Sequence, residues 1–418
     1  MRCKRNKYLI MGNLFLIIIF FFSIPISDAI VLNETNWLGN STTHNFFING
    51  SDIKYELGVN LTTNSDSALS IFANDIIITG NGHSINGKGI DAIYINNSRN
   101  ITLYNFSIKD KFTGIEVEDS DNINFYNFSV NNCSEGFFIA DSHNITLFQS
   151  AINNITTNGF AVVESEGTRI LASEFTNNRN AVDFTYSVNS EVKNSTLENN
   201  EINAITEMNG NQTSIIGNNI TENENSGISV AGSYNLTISK NYIVNNQNSG
   251  LNLANSENTV ITDNLFNNSK NLILYVNKKT AWNSLKKNGT NIIGGQYIGG
   301  NYWGTPDSKG FSQNCSNQGD GFCTEPLIIN ANNTDFLPLT NPFPKIKKFP
   351  GCENLSNDLD GDGLFRDING NGRKDFYDVT TFAVNLDWAI SNEPVTPFDF
   401  NKNGRIDFDD IVKLFNKI

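Results

Sequence analysis

The chain has 418 residues, of which 43 are acidic and 29 basic, and its formal net charge at pH 7 is −14. So acidic a chain is a poor partner for nucleic acid, because the phosphates of DNA and RNA bind basic surfaces. Beyond one N-terminal apolar run the sequence contains no second hydrophobic span, so the body of the protein is expected outside the membrane.

The N-terminus has the pattern of a secretory signal peptide. An apolar run covers residues 14–26, and Ser27 and Ala29 supply small residues at positions −3 and −1 of a cleavage site. Residues 1–29 are therefore predicted to be removed, which changes the formal net charge from −14 to −17 because four positive charges and one negative charge are lost. The mature protein is expected to be secreted, extracellular or at the cell surface. If cleavage failed, residues 8–26 are about long enough to remain as a membrane anchor.

A pattern of 22 to 23 residues recurs through the middle of the chain. Each repeat opens on an alternating apolar stretch, and these stretches start at Asn100, Asn122, Asn144, Gly167, Ser190, Gln212, Asn235 and Asn258. About fourteen residues later a second alternating stretch follows, which begins with Gly114, Gly136, Gly159, Gly227 or Gly250 in five of the repeats. Alternation gives each strand one buried face, and so short a unit cannot bury that face alone, so successive repeats must stack.

The fold class predicted from this pattern is all-β: a right-handed parallel β-helix of 22–23-residue coils, followed by a small α-helical calcium-binding module. No helix-sized segment separates the strands, which argues against leucine-rich and βα repeats. The predicted divisions are an N-terminal cap over residues 30–75, the solenoid over 76–340, a linker over 341–355 and the module over 356–418. An asparagine also recurs at one turn, where stacked amides are expected to form a structural ladder: Asn131, Asn153, Asn177, Asn199, Asn223, Asn245 and Asn267.

The repeats resemble the β-helix repeats of the carbohydrate-binding and sugar-hydrolysis group, particularly its NosD-like branch. The following stretch resembles the end-cap of archaeal and bacterial surface members of that branch, through Gly299, Asn301, Tyr302, Trp303, Gly321, Cys323, Asp335, Pro338 and Leu339. The resemblance covers about residues 76–339, and it implies the fold more strongly than an activity. The copper associated with the name of the branch gains no support, because three histidines, three methionines and unclustered cysteines form no soft-ligand set.

Acidic residues recur at one turn of the repeat and are the candidates for catalysis. Many parallel β-helix proteins act on acidic polysaccharides through carboxylates on one strand face. Asp119, Asp141 and Glu164 are the candidate pair members for a polysaccharide hydrolase or lyase. Turns are also where solvated acids ordinarily lie, and no apolar pocket that would raise one pKa can be inferred, so the sequence leans away from catalysis.

Recognition of a glycan without turnover is the alternative for the same solenoid. Tyr104, Tyr126 and Phe148 could stack on sugar rings if they face outward, and they would fill the core if they face inward. Sequons such as Asn60, Asn127 and Asn332 could carry glycans of the protein's own.

Two of the cysteines are predicted to form a disulfide outside the cell. Cys315 and Cys323 lie eight residues apart in a loop rich in glycine and asparagine. Cys133 and Cys352 have no obvious mates.

Two twelve-residue windows, residues 367–378 and 399–410, repeat the pattern of a calcium loop in register. Loop positions 1, 3, 5, 7, 9 and 12 are held by Asp367, Asn369, Asn371, Arg373, Asp375 and Asp378 in the first window and by Asp399, Asn401, Asn403, Arg405, Asp407 and Asp410 in the second. Ca²⁺ takes six to eight oxygen ligands, and the arginines at position 7 need supply only a backbone carbonyl. Gly372 and Gly404 stand at position 6, where the loop turns sharply.

A third, incomplete loop precedes the first window. Asp358, Asp360 and Asp362 begin the pattern, but a good ligand is missing at Arg366 and at Asn369. Two interpretations stay open, an additional calcium ion and a solvated acidic approach to the first loop.

An apolar helix-like pattern follows each of the two complete loops. A duplicated loop followed by one helix, with aspartate at position 12, resembles the type I dockerin module, and the resemblance covers about residues 357–418. It implies two calcium ions and a cohesin-like or other surface protein as partner. Positions 10 and 11 carry Phe376 and Tyr377, then Phe408 and Asp409, where cellulosomal dockerins often carry small hydroxyl residues, so a conventional cellulosomal partner is in doubt.

The sequence thus favours a secreted β-helix that recognises a polysaccharide or other glycan and attaches to a second protein through its calcium-dependent tail. Two alternatives remain: a polysaccharide hydrolase or lyase, and a purely structural protein of the cell envelope.

Overall fold

The structure, a computed structural model, describes residues 29–33, 45–64, 67–275, 280–317, 320–340, 346–359, 364–401 and 403–417. Residues 1–28 of the predicted signal peptide, and Asp360 and Asp362 of the incomplete loop, lie outside the described residues. Among the helices that are described, none is long and apolar enough to cross a bilayer.

Three parallel sheets form the walls of a solenoid, and each regular coil contributes one strand to each sheet in turn. Sheet 1 contains Ile30–Leu32, Lys54–Leu57, Asn74–Thr79, Arg99–Tyr104, Asp121–Tyr126, His143–Phe148, Arg169–Leu171, Glu191–Lys193, Ser214–Ile216, Thr237–Ser239, Thr259–Thr262 and Thr280–Ala281. Sheet 2 contains Phe46–Ile48, Leu69–Ile71, Asp91–Asn96, Thr113–Glu118, Glu135–Ala140, Asn158–Val163, Asn180–Thr185, Ile205–Met208, Ser226–Ala231, Ser249–Ala254 and Leu272–Tyr275. Sheet 3 contains Leu61–Thr62, Ser84–Asn86, Ser107–Lys109, Ser129–Asn131, Ala151–Asn153, Glu174–Thr176, Thr196–Glu198, Asn219–Thr221, Tyr242–Val244, Leu265–Asn267 and Tyr302–Gly304.

The register places identical repeat positions side by side. Ile101 pairs with Ile123, which pairs with Ile145, and all three side chains are fully buried. Burial of one such side chain contributes about 1.5–3 kcal/mol relative to its exposure. The predicted stacking of repeats is therefore the source of the solenoid's continuous core.

Residues 30–75, predicted to be a cap, instead begin the coils. Ile30 pairs with Tyr55 and Phe46 pairs with Leu69, in the same parallel sheets as the later strands. Ile30 and Tyr55 are 25 residues apart, which is longer than the later period, and the first five strands have only two to four residues. These short, widely spaced strands explain why the periodicity could not be recognised there.

Most turns of the solenoid use asparagine in the left-handed region, which a short polar side chain tolerates better than most. The first residues of the repeats form one such column with φ between 55° and 62°: Asn100, Asn122, Asn144, Asn189, Gln212, Asn235 and Asn258. Gly167, with φ of 74°, takes the same place in its coil. The predicted start at Ser190 is one residue late, because Asn189 holds the left-handed conformation.

Two ladders of buried asparagine amides run through the C-terminal half of the solenoid. In the first, Asn200 donates to Asn223 at 2.8 Å, Asn223 to Asn246 at 2.8 Å, and Asn246 to Asn268 at 3.1 Å. The predicted ladder contained Asn223, and four of its other members each precede a buried asparagine by one residue: Asn177, Asn199, Asn245 and Asn267. Asn131 and Asn153 end strands of sheet 3 and precede no buried asparagine. Asn199 and Asn245 are left-handed turn residues instead, with φ of 56° each.

The second ladder reaches the predicted end-cap. Asn218 donates to Asn241, Asn241 to Asn264 and Asn264 to Asn301, each at 2.9–3.0 Å. The backbone N–H of Asn301 then donates to the buried Asp335 at 2.8 Å.

The end-cap closes the last coil with aromatic rings and a disulfide. The Trp303 indole stacks on Phe266 with ring centroids 4.8 Å apart, and its Nε1–H donates to Asp335 at 2.9 Å. Cys315 and Cys323 are joined by a disulfide. The cap also contains the helix α1 (Phe311–Asn314) and two hairpins, Lys287–Asn288 with Tyr297–Ile298 and Leu327–Asn330 with Asn333–Asp335.

The C-terminal part is helical and has its own buried cluster, centred on Phe349, Phe382 and Phe398. Its helices are α2 (Phe376–Val384), α3 (Leu386–Asn392), α4 (Val395–Phe398) and α5 (Phe408–Phe415). Helices α2 and α5 begin at position 10 of the two predicted calcium loops and contact each other.

Candidate functional site

Polar and acidic side chains gather on the outer face of sheet 2 in the first coils of the solenoid. The strands Asp91–Asn96 and Thr113–Glu118 are neighbours, with Glu116 opposite Tyr94 and Glu118 opposite Asn96. The buried isoleucines and valines of these strands point inward, so the alternating residues between them are half-buried on the outer face. We call Asp91, Tyr94, Asn96, Glu116 and Glu118 the sheet 2 site.

Asp91 and Glu116 are interacting carboxyls on neighbouring coils. Asp91 is 4% exposed, and its Oδ2 accepts a hydrogen bond from Ser67 Oγ at 2.8 Å. Its Oδ1 is buried without a donor among the described residues. Two ionised carboxylates repel each other, so their proximity favours the protonated form of one of them.

Burial raises the pKa of both members of the pair. Desolvation is the largest cause, and it raises the pKa of Glu116 to about 7, with the negative charges of Asp91 and Glu118 adding to the effect. The pKa of Asp91 is raised for the same reason, although hydrogen bonds and the Lys111 cation act in the opposite direction. The pair can therefore hold a proton near neutral pH.

Lys111 is the cation next to this pair, but it is not available to a ligand. The side chain is 3% exposed, and Nζ donates to the carbonyl oxygen of Thr63 at 3.3 Å and also to its hydroxyl. Burial lowers the pKa of Lys111 to about 8. Lys111 therefore acts on Asp91 from inside the solenoid.

Tyr94, Asn96 and Glu118 form a small network on the outer face. The Tyr94 hydroxyl donates to Glu118 Oε2 at 2.9 Å, and Asn96 Nδ2 donates to the same oxygen at 3.1 Å. Burial and the Glu118 carboxylate raise the pKa of Tyr94 to about 12, so the phenol remains protonated. The network fixes one carboxylate between two donors and leaves its remaining lone pairs for other partners.

Two exposed phenylalanines extend the site toward the start of sheet 2. Phe47 and Phe72 are 45% and 39% exposed, and their rings stack with centroids 5.3 Å apart. Phe72 also meets the Tyr94 ring edge to face at 5.9 Å. We call Phe47, Phe72 and Tyr94 the aromatic platform. The aromatic platform is continuous with the sheet 2 site, because Tyr94 belongs to both of them.

The predicted catalytic carboxylates lie elsewhere. Asp119, Asp141 and Glu164 occupy the turn after sheet 2 in three successive coils, all exposed and all left-handed, with φ of 47° to 48°. They hold the same repeat position in successive coils, as predicted. They are solvent-exposed turn residues, which was the alternative to a catalytic role.

The sequence signal for the sheet 2 site was present but weak. Asp91 and Glu116 are 25 residues apart, and neither occupies the recurring acidic turn. An indication was available in the second stretch of the repeat, where Tyr94, Glu116 and Phe138 hold one outward position in successive coils.

The aromatic residues predicted for stacking do face outward, on sheet 1. Tyr104, Tyr126 and Phe148 pair in register and are half-buried. Tyr126 and Phe148 meet edge to face at 6.0 Å, so part of each ring is covered by its neighbour.

The first predicted calcium loop wraps its backbone around two aspartates. Asp367 accepts the N–H groups of Asn371 at 3.0 Å and Gly372 at 2.8 Å, and Asp378 accepts those of Asn369 at 3.2 Å and Asp375 at 2.8 Å. Gly372 has φ of 82°, which suits the sharp turn of position 6.

The second loop repeats the arrangement. Asp399 accepts from Asn403 at 3.0 Å and Gly404 at 2.7 Å, and Asp410 accepts from Asn401 at 3.0 Å and Asp407 at 2.9 Å. Burial and neighbouring carboxylates raise the pKa of Asp410, as they do for Asp378 in the first loop.

Carboxylate, amide and carbonyl oxygens, the ligand types that Ca²⁺ takes, stand at the ligand positions of both loops. No group of three or more His, Cys, Asp or Glu side chains is gathered for a metal ion in the part of the chain that is described. A calcium ion in either loop would therefore depend on the asparagine amides and on the carbonyl of Arg373 or Arg405. Asp375 also has a structural role, since it caps α2 by accepting the N–H of Tyr377 at 2.9 Å.

Comparison with known protein families gives a match within the solenoid, and that match does not include the tail. Residues 113–308 match the model of a family described as periplasmic copper-binding protein (NosD). The match covers somewhat less than half of the chain, and together with the parallel solenoid it indicates a NosD-like right-handed β-helix. No curated protein matches the chain.

Several solved structures share the β-helix with this chain. They include the periplasmic alginate epimerase AlgG, with 13% identity, a TM-score of 0.42, and coverage of 56% of this chain and 76% of that one. The A-module of the Azotobacter vinelandii mannuronan C-5 epimerase AlgE6 has 12% identity, a TM-score of 0.39, and coverage of 55% and 80%. PfbA, a surface adhesin of Streptococcus pneumoniae, has 13% identity, a TM-score of 0.42, and coverage of 59% and 84%. The likeness is loose, and nothing about activity follows from it.

The donors in the matched segment do not fit copper. Residues 113–308 contain one histidine, one cysteine and one methionine. His143 opens a strand of sheet 1, Cys133 is buried at the turn before sheet 2, and Met208 ends a strand of sheet 2 two coils or more away. Copper sites need soft or imidazole donors around one point, and these three lie apart.

Proposed function

We propose that this protein recognises a glycan outside the cell through the outer face of sheet 2. The observation that carries the proposal is the exposed Phe47–Phe72 stack, which continues through Tyr94 into a row of carboxyl, amide and phenol groups. Exposed, adjacent aromatic rings on a regular sheet are costly in water unless a partner covers them. A flat aromatic surface beside fixed polar groups suits a sugar, which has an apolar ring face and a rim of hydroxyls.

The polar groups of the site favour binding over hydrolysis. Glycoside hydrolases hold their two carboxyls about 5–5.5 Å apart for retention or about 6.5–9.5 Å apart for inversion. Asp91 is 4% exposed, so the site does not present Asp91 and Glu116 as two accessible carboxyls on either side of a glycosidic bond. The half-buried carboxyls of Glu116 and Glu118 can accept hydrogen bonds from hydroxyls, and charge-assisted bonds of this kind are strong.

The tail is proposed to attach the protein to a second, surface-bound protein in the presence of calcium. The two loops support this by repeating one hydrogen-bond pattern in register, with oxygen donors at each ligand position. Clustered carboxylates repel each other without a cation, so calcium would act as a folding ligand of the tail. Secretion after removal of residues 1–29 is part of the same proposal.

The test is binding of the mature, full-length protein to a panel of soluble neutral and acidic polysaccharides with calcium present. We expect retention by at least one polymer, and the double variant Phe47→Ala, Phe72→Ala should weaken it at least tenfold. Tyr275→Ala is the matched control, because Tyr275 is an exposed aromatic residue at the other end of sheet 2.

Release of reducing or unsaturated ends should be recorded in the same samples. Retention without release supports recognition. Release would instead support the polysaccharide-active alternative. Absence of both signals would leave the structural role in the envelope, and equal effects of the platform and control variants would remove the assignment to sheet 2.

A further inference from the structure

We propose that the sheet 2 site selects uncharged glycans and rejects those that carry uronate groups. The inference rests on the proposed function and adds the chemical class of the ligand. The selectivity follows from the positions of the charged side chains, because acidic groups face the ligand and the neighbouring cation is buried.

The charges on the outer face are negative. Glu116 and Glu118 lie two residues apart on one strand, so both side chains point to the same side of the sheet. The charges that act on the Glu116 carboxyl are those of Asp91 and Glu118, both acidic. A uronate placed on the aromatic platform would therefore approach like charges at short range.

The neighbouring cation cannot compensate for this repulsion. Lys111 is 3% exposed and its Nζ is held by Thr63, so a ligand carboxylate cannot reach it without entering the solenoid. Proteins that bind planar carboxylates usually present an accessible arginine or lysine for the purpose. Here the cation is buried, whereas Glu116 and Glu118 face outward, which is the opposite arrangement.

Sugar hydroxyls, by contrast, match what the site lacks. The carboxyls of Glu116 and Glu118 lie half-buried on the outer face, and Glu118 has spare acceptor capacity beyond Tyr94 and Asn96. A hydroxyl can donate to these oxygens, whereas an ionised carboxylate cannot. Rings that stack on Phe47 and Phe72 would direct their hydroxyls along the same face.

The experiment compares one glycan with its own oxidised form. The neutral polysaccharide that the mature full-length protein retains best is converted at its primary alcohols to uronate, so that the backbone and linkage stay the same. We expect at least tenfold weaker binding of the oxidised form at pH 7 and low salt. The ratio should shrink in 0.5 M NaCl, because salt screens charges at the surface.

Variants assign the effect to the site. Glu116→Gln and Glu118→Gln should each reduce the discrimination between the two forms by about tenfold, which corresponds to about 1.4 kcal/mol. Glu201→Gln is the control, since Glu201 is exposed outside the sheet 2 strands. The discrimination between the neutral and the oxidised glycan should also increase between pH 5.5 and 8.5, because Glu116 loses its proton in this range. The titratable groups around Glu116 are Asp91, Glu118, Tyr94 and Lys111.

The outcomes separate the two proposals. If no polysaccharide of any class is retained, glycan recognition itself is wrong. If a glycan is retained but its oxidised form binds equally well or better, recognition stands and the charge selectivity is overturned. The charge selectivity is likewise overturned if only uronate polymers are retained, or if Glu201→Gln changes the ratio as much as Glu116→Gln.

Discussion

Glu207 points into the apolar interior of the solenoid. It pairs in sheet 2 with Phe184 on one side and Val230 on the other, and it is fully buried. Oε1 accepts a hydrogen bond from Thr213 at 2.9 Å, and Oε2 has no partner among the described residues. Desolvation is the main reason why the pKa of Glu207 is raised to about 8, so the carboxyl is largely protonated at pH 7.

This carboxyl should make the solenoid less stable as the pH rises. The unfolded chain releases the proton near pH 4.5 and the folded chain near pH 8, so the folded state binds more protons in between. The stabilising contribution is complete below about pH 4.5 and is lost by about pH 8, at about 1.4 kcal/mol per pKa unit as an upper limit. Glu207→Gln keeps an acceptor for Thr213 and should remove most of this dependence.

Thermal unfolding followed by circular dichroism from pH 5 to pH 9 tests this expectation. The difference in melting temperature between Glu207→Gln and the unsubstituted protein should grow in favour of the variant as the pH rises. Glu201→Gln, at an exposed position, should change nothing. A constant difference across the range would show that Glu207 does not titrate in this window.

At the scale of elements, the buried asparagine ladders join coils where apolar side chains could not. Each Asn amide in the ladder bonds to the next coil and also to a backbone carbonyl, as Asn241 does with Asn264 at 2.9 Å and with Ile215 at 2.8 Å. The backbone N–H of Asn218 in turn donates to Asn241 at 2.9 Å. These bonds satisfy turn groups that would otherwise be buried and unpaired.

Asn241→Ala should therefore destabilise the solenoid by about 2–4 kcal/mol. The change removes the side chain's own bonds and the acceptor of the buried N–H of Asn218, and a buried group that loses its partner costs about 1–3 kcal/mol. The free energy of unfolding in guanidinium measures the effect.

Asn248→Ala is the matched control for the ladder. Asn248 is exposed and bonds only at the surface, to Asn225 at 2.8 Å, so its replacement should cost less than about 0.5 kcal/mol. Similar losses in both variants would mean that the buried ladder has no special role.

At the scale of the whole molecule, the described residues form two separate apolar cores. One belongs to the solenoid, and the other, around Phe349, Phe382 and Phe398, belongs to the tail. The solenoid has its own ladders and end-cap, with Asp335 closing the second ladder. In the tail, by contrast, Asp378 and Asp410 are both buried among other carboxylates.

Removal of calcium should therefore affect the two parts differently. Hydrogen exchange of the full-length protein, read by mass spectrometry with and without EDTA, should increase through residues 346–417 and remain unchanged in the coils. The substitutions Asp378→Ala and Asp410→Ala should reproduce the effect of EDTA in the presence of calcium, whereas Asp387→Ala, outside the loops, should not. If hydrogen exchange in the tail is the same with and without EDTA, the proposed role of calcium is contradicted.

Some of these features could be predicted from the sequence more accurately than others. The inward positions, such as Ile101, Ile123 and Ile145, were predictable because alternation and period are local properties that every coil repeats. The asparagine ladder was predicted one residue out of place at Asn199 and Asn245, because a turn asparagine can serve either as a left-handed residue or as a buried bridge. The backbone conformation of each turn decides between these roles.

The sequence by itself determined the repeat, the strands and the pattern of the two loops, since these depend on short-range order within or between adjacent units. Only the tertiary structure decided which acidic side chains are buried and which are exposed. Asp119 and Asp141 stand in the conspicuous acidic turn and are exposed, whereas Asp91 and Glu116 have no common motif and meet because coils one turn apart stack in register. Burial and mutual contact, which set their pKa values and the charge seen by a ligand, exist only once the coils have closed over each other.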